Sequence, residues 1–335
     1  MMITGRGPGR LGERHRTVAA MAIVLALLAA GCGDSGGSGK ADASGAEGIV
    51  ARVASFDLAA GRPQRFLVGL VRADNERLVG FGSVQLTFAF SGTRERPLGS
   101  PRPGPSAQAR FLPIPGNQAE PSAPGPRFVE ASTANGVYSA EPVTFSEPGF
   151  WQVSVAARVD GRNYGADGRF EVLASNVVPA VGDPAPRTDN PLVAQPGVNP
   201  KSIDSRAGAD TPVPDPELHS TTVAQALDAR RPLVVVVSTP TFCQSRFCGP
   251  ITDAVSAFAK RYRDRMAFVH LEVWRDYEKN ELNPSAREWI DADGDAQGSE
   301  PWTFVVGSDG LVKYRFDNVA SEGELDAAIR QVLGP

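Results

Sequence analysis

The chain has 335 residues, with 34 Lys and Arg against 38 Asp and Glu and a formal net charge of −4. Both signs are mixed along the sequence and no basic stripe runs through it, which argues against nucleic acid as a partner. A length of this order accommodates two domains of common size once terminal segments are set aside.

Arg6, Arg10, Arg14 and Arg16 precede a short apolar run, Val18–Ala30. A helix needs about 20 apolar residues to span a bilayer, and this run falls short of that. It predicts a cleaved export signal. The run closes in "LLAAGC", and Gly31-Cys32 resembles the lipobox of bacterial lipoproteins, although Ala29 stands where Leu is commoner. The resemblance implies removal of residues 1–31 and diacylation of Cys32 as the new N-terminus. It also implies a lipid anchor in the cell membrane, with the chain on the extracytoplasmic side. Two or more acyl chains give firm attachment. The alternative is plain secretion with Cys32 incidental. Residues 32–47, "CGDSGGSGKADASGAE", are poor in apolar side chains and read as a flexible tether.

From 48 to 174 the runs are strand-like. "IVARVASFDL", "QRFLVGLVRA", "SVQLTFAF", "FWQVSVAARV" and "GRFEVLA" are separated by turn formers such as "AAGRPQ", "RADNER" and "VDGRNYGADG". Trp151, Val153, Val155, Ala157 and Val159 alternate with Gln152, Ser154 and Arg158, the mark of a sheet with one buried face. The expectation is an all-β immunoglobulin-like sandwich. "NGVYSAEPVTFSEPGFWQVSV" resembles the closing hairpin of bacterial sandwich modules. "PLGSPRPGPSAQARFLPIPGNQAEPSAPGPRF" is expected to be a long loop, disordered or binding.

Prolines crowd residues 175–219, so this segment is a linker or an extended arm on the next domain. From 220 to 335 the pattern alternates. "STTVAQALDA" predicts a helix with Ser220 as N-cap, and "PLVVVVS" a strand covered on both faces. "PITDAVSAFAKRYRDR" predicts a helix, "MAFVHLEVW" a strand, and "PSAREWIDA" a helix. "WTFVVGSDGLVKYRF" reads as a hairpin turning at Ser308-Asp309-Gly310, and a capping box at Ser321 and Glu324 starts the last helix. The order is that of an α/β sandwich.

With Cys32 assigned to the lipid, Cys243 and Cys248 remain as an even pair in an exported chain, where thiols tend to oxidise. Residues 220–335 resemble the extracytoplasmic branch of the thioredoxin-like superfamily. An apolar strand runs into Phe242-Cys243 and then a helix. Cys248-Gly249-Pro250 echoes the aromatic-Cys-Gly-Pro-Cys motif, and Pro301 stands before a strand-turn-strand where the family keeps a cis-proline. The resemblance implies an α/β thioredoxin-like fold. It also implies a thiol–disulfide oxidoreductase acting on exported protein thiols or disulfides, with catalytic Cys243, Cys248 and Pro301. The chain departs from the family in spacing its cysteines by four residues rather than two.

Cys243 follows the strand and is the expected nucleophile, with Cys248 resolving from the first helical turn; in the other register Cys248 attacks, and its resolving slot holds Ile251. A helix N-terminus favours a thiolate, and Arg246 adds to this if it turns inward. A reversible Cys243–Cys248 disulfide is therefore expected. Two other readings stay open. One is a purely structural disulfide in a partner-binding lipoprotein. The other is a copper chaperone resembling the Sco type, which would need soft-metal ligands beyond the pair. His219 and His270 are the only histidines after Cys32, and His270 reads as a hydrogen-bonded core residue. Asp291–Asp295, "DADGD", lacks the glycine and glutamate an EF-hand loop needs. No phosphate-binding glycine loop or serine-histidine-acid set is present, and no cofactor is expected.

Overall fold

The first half of the chain is antiparallel β-structure, and aromatic alternation explains why. In this computed structural model, residues 48–335 are described except 118–124, 131–134, 209, 244, 246, 291–298 and 335. The expectations for residues 1–47, including Cys32, and for Arg246 and Asp291–Asp295 lie outside the described residues.

The strands are β1 (Ile49–Val53), β2 (Pro63–Arg72), β3 (Leu78–Gly80), β4 (Ser83–Gly92), β5 (Pro97–Pro113), β6 (Arg127–Val129), β7 (Gly136–Thr144), β8 (Gly149–Val159) and β9 (Arg162–Val172). They pair in the order β6-β3-β2-β7-β5-β4-β8-β9, and β1 adds to β2. On β8 the residues Trp151, Val153, Val155, Ala157 and Val159 are buried, while Ser154, Ala156 and Arg158 are exposed. Strand geometry sends alternate side chains to opposite faces, so this pattern fixes the register. The buried face meets Phe66, Phe88, Phe145 and Phe170, whose rings interlock at centroid separations of 4.8–6.2 Å, and Trp151 joins them 5.1 Å from Phe145. Fully burying one such ring is worth roughly 1.5–3 kcal/mol.

Three sequence expectations fail in this half. The Pro/Gly-rich stretch is no loop over Pro97–Pro113, because it forms the long strand β5. Its prolines are tolerated because β7 pairs only with Arg110–Pro113, leaving the earlier part of β5 bonded to β4 alone. Proline is admitted at such an edge, where no second ladder needs its missing N–H. Gly104 lets β5 pass close over the core, since a Cβ there would come within 2.6 Å of Trp151. Secondly, β7 and β8 are not a hairpin: β7 pairs with β2 and β5, and β8 with β4 and β9. Thirdly, the turn expected over "VDGRNYGADG" narrows to Asp160-Gly161. Both have positive φ, as a two-residue hairpin of matching twist requires, and Asn163–Gly168 continue β9.

Among the described residues, the second half is mixed α/β with four helices. It comprises α1 (Val223–Asp228), β10 (Leu233–Ser238), α2 (Cys248–Tyr262), β11 (Ala267–Glu272), β12 (Trp274–Asp276), β13 (Glu281–Leu282), α3 (Pro284–Ile290), β14 (Trp302–Val306), β15 (Val312–Asp317) and α4 (Glu322–Leu333). The sheet order is β11-β10-β14-β15, with β10 parallel to β11 and antiparallel to β14, while β12 and β13 form a separate hairpin. All of β10 is buried. Val234 and Val236 pack with Ile251 and Val255 of α2 and Ile329 of α4, and Val235 and Val237 pack with α1 and α3 residues. Thr222, not Ser220, caps α1, because Gln225 three residues on completes a capping box; the box at Ser321 and Glu324 starts α4.

Residues 175–219 hold two short 3₁₀ turns, Pro200–Ser202 and Pro216–Leu218, and bond to the α/β part. Asn190 Oδ1 accepts from Val223 N at 2.9 Å, Thr188 Oγ1 accepts from Trp289 Nε1 at 2.9 Å, and Ser202 O accepts from Asn283 Nδ2 at 2.9 Å. The β-region meets the α/β part through buried Asp57, which pairs with Arg315 at 2.8 Å. Asp317 also accepts from Phe56 N at 3.0 Å, and Asn318 Nδ2 donates to Ala54 O at 3.0 Å. Among the described residues, no helix is long and apolar enough to cross a membrane.

Candidate active site

Strand β10 delivers the chain to the site and α2 carries it away. Cys243 and Cys248 are joined in a disulfide with Cα atoms 6.0 Å apart, within the span such a bond requires. The two sulfurs differ in access. Cys248 opens α2 with no exposed surface, while Cys243 in the preceding loop is half-buried, its Sγ 3.2 Å from Ser245 Oγ. The N-cap residue of α2 is Phe247, which offers no side-chain bond to the helix amides. Among the described residues, the first-turn N–H groups therefore receive no capping oxygen from the N-cap side chain.

Two aromatic residues anchor the loop. Phe242 stacks on Tyr277 with centroids 4.0 Å apart, beside Trp274. A cleft of about 220 Å³ opens there, lined by Phe242, Trp274, Tyr277 and Lys201 among others. At the other end, Phe247 packs against Leu67, Ile114 and Val137 of the β-region and against Val319.

Pro301 follows a cis peptide bond and is buried. Val237 pairs with Trp302, so Pro301 lies at the sheet end from which the cysteine loop departs. Sequence reading missed Glu300 beside it. Glu300 Oε2 accepts from Thr239 N at 2.5 Å. Burial pushes the Glu300 carboxyl up to about 8, the charge of Glu272 adds to this, and the Thr239 amide opposes it. Glu272 is itself buried, which raises its own carboxyl, and it accepts from Ser205 N at 2.7 Å. Its signal in the sequence was a charged residue interrupting the apolar strand "AFVHLEV" on the same face as His270.

Beneath α2 lies a second polar set. Thr252 Oγ1 bonds Cys248 O at 2.8 Å and Ser238 Oγ at 2.7 Å, and Ser238 O lies 3.0 Å from His270 Nε2. His270 therefore has the core hydrogen bond expected of it. Asp204, from the proline-rich segment, faces both His219 and His270 at 3.5 Å and is bonded by Arg206 at 2.7–3.0 Å. Burial would raise the Asp204 carboxyl, but His219, His270 and Arg206 together hold it far below the usual range. Burial lowers His219. For His270, Asp204 outweighs burial and raises it. Nothing local in "NPKSIDSRAG" marks Asp204, because its partners come from distant segments. This cluster includes neither cysteine.

Comparison with known proteins adds little. No family model matches the chain, and no curated protein matches it. Among solved structures it is similar in part to the crystal structure of the outer membrane decaheme cytochrome OmcA, at 11% identity and a TM-score of 0.20. That match covers 41% of this chain and 26% of the cytochrome, so the chain spans about a quarter of that protein, and a likeness so slight carries no argument.

Proposed function

We propose that this chain is an extracytoplasmic, lipid-anchored protein of thioredoxin-like fold, with an immunoglobulin-like sandwich before it, that performs thiol–disulfide exchange on exported proteins. The observation that carries the reading is the asymmetric Cys243–Cys248 disulfide, its half-buried sulfur in the loop and its buried sulfur opening α2.

A substrate thiolate attacks Cys243 Sγ, the accessible sulfur. The Sγ–Sγ bond breaks, and Cys248 leaves with the electron pair as a thiolate. The uncapped amides of α2 stabilise that anion, which makes it the better leaving group. A second substrate thiolate then attacks the substrate sulfur of the mixed disulfide and expels Cys243 as a thiolate. The substrate has lost two electrons and the cysteine pair has gained them. Run in reverse, with Cys243 as nucleophile and Cys248 resolving, the same steps reduce a substrate disulfide. Pro301 shapes the edge of the groove at which substrate docks.

The test is trapping. Incubated with a model peptide disulfide, Cys248→Ser should accumulate a mixed disulfide at Cys243, and Cys243→Ser should accumulate none. A pair with a potential below about −300 mV and no trapped adduct would mark a structural staple and sink the proposal.

A further inference from the structure

We propose that Asp204, His219 and His270 form a buried coordination site for a divalent transition-metal ion of nitrogen and oxygen preference, with zinc the best match. This inference is independent of the exchange chemistry, since neither cysteine belongs to the cluster.

The three side chains converge from separate segments: Asp204 after the first 3₁₀ turn, His219 closing the second, and His270 within β11. They are 0, 1 and 2% exposed. Buried polar atoms in folded proteins nearly always find partners. Here both ring nitrogens of His219 and Nδ1 of His270 have no hydrogen bond. Asp204 Oδ2 stands 3.5 Å from His219 Nε2 and 3.5 Å from His270 Nδ1, too far for well-formed hydrogen bonds.

The tautomer of His270 sharpens the point. Its Nε2 faces Ser238 O at 3.0 Å, and a carbonyl only accepts, so Nε2 carries the proton. In the neutral ring, Nδ1 then aims a lone pair at a carboxylate oxygen. A cation between them resolves that clash. Metal-bound histidines commonly donate their other ring N–H to a backbone carbonyl in this way. With metal–ligand bonds of about 2.0–2.2 Å, donors 3.5 Å apart subtend an angle near tetrahedral. All three donor atoms lie within 4.8 Å of one another, and a near-tetrahedral ion would draw the two histidine nitrogens, the widest pair, to about 3.4 Å.

Arg206 shares Asp204 and carries a charge that opposes a dication. It is also paired with Asp215 and Asp253, each at 2.9 Å, so two further carboxylates balance it. The rival account is a His270 imidazolium paired with Asp204. It leaves both contacts to Asp204 at 3.5 Å, longer than a well-formed hydrogen bond, and His219 Nδ1 keeps no partner in either account.

The experiment uses the full chain, stripped with chelator and titrated with Co²⁺ alone and with Zn²⁺ alone. One equivalent should bind, Co²⁺ should show the visible bands of a near-tetrahedral site, and the Cys243→Ser/Cys248→Ser variant should bind equally. His219→Gln should weaken binding at least 100-fold, with circular dichroism confirming that it remains folded. A second readout that does not depend on the variant folding comes from ¹⁵N spectra of the unaltered chain. Zn²⁺ should shift His270 Nδ1 and leave Nε2 protonated. Failure of the folded chain to take up either ion, binding unchanged in folded His219→Gln, or a doubly protonated His270 indifferent to Zn²⁺ would each overturn the proposal.

Discussion

The two halves of the molecule differ most in what they bury. Among the described residues, the β-region's interior is a knot of Phe, Trp, Val and Leu, and its one fully buried charged side chain, Asp57, reaches out to Arg315 of the other half. The α/β half buries Asp204, His219, His270, Glu272 and Asp317 together with several hydroxyls. Desolvating such groups is costly unless they are paired, so a region that keeps many of them sacrifices stability for some other property. The contrast fits the proposed division of labour, in which the first half is a scaffold and the second carries the exchange site.

The severest way to break this contrast is to damage the scaffold. Phe88→Ala should cost about 3–5 kcal/mol, read by denaturant unfolding, while leaving the exchange rate of the folded fraction unchanged. A changed rate would show that the β-region takes part in the chemistry. Cutting the joint comes next. Asp57→Ala leaves Arg315 buried without its carboxylate and should cost about 3–5 kcal/mol. Unfolding should then separate into two transitions, and a single shared transition would mean that the other interface bonds suffice.

A gentler probe is pH. The Glu300 carboxyl is raised to about 8 in the folded chain from its ordinary 4.5. Between those values the folded state holds a proton that the unfolded state has lost. The stability contribution is therefore whole below 4.5 and is lost as pH climbs through 8. Melting temperature should fall by several degrees across that window, and Glu300→Gln should flatten the slope. An unchanged slope in that variant would remove Glu300 from the account. The smallest effect expected is from Phe247→Ala, which should speed reduction of the disulfide by a small thiol several-fold by loosening the loop from Leu67, Ile114 and Val137.

Much of the architecture was legible because it is local. The period-2 alternation of β8, the all-apolar β10 and the capping box at Ser321 each record a physical requirement within a few residues. What was hidden is non-local. The prolines of β5 concealed a strand because whether an edge has a second neighbour depends on residues far along the chain. The separation of β7 from β8 depends on β2 and β4 in the same way. Cys243, Cys248 and Pro301 could be picked out by residue type and order. Glu300 was a lone acid beside a proline, and Asp204 had no local mark at all, since its partners lie at 219 and 270.

Phe242 on Tyr277 and Phe247 on the β-region fasten the chain immediately before Cys243 and immediately before Cys248. When the disulfide opens, Phe242 and Phe247 still hold the chain beside each cysteine. A freed Cys243 thiol cannot diffuse far from Cys248, so its effective concentration at its partner stays high. In the proposed exchange, the return step that closes the ring and ejects the substrate would then be intramolecular and fast. A mixed disulfide on this chain should be short-lived unless Cys248 is removed.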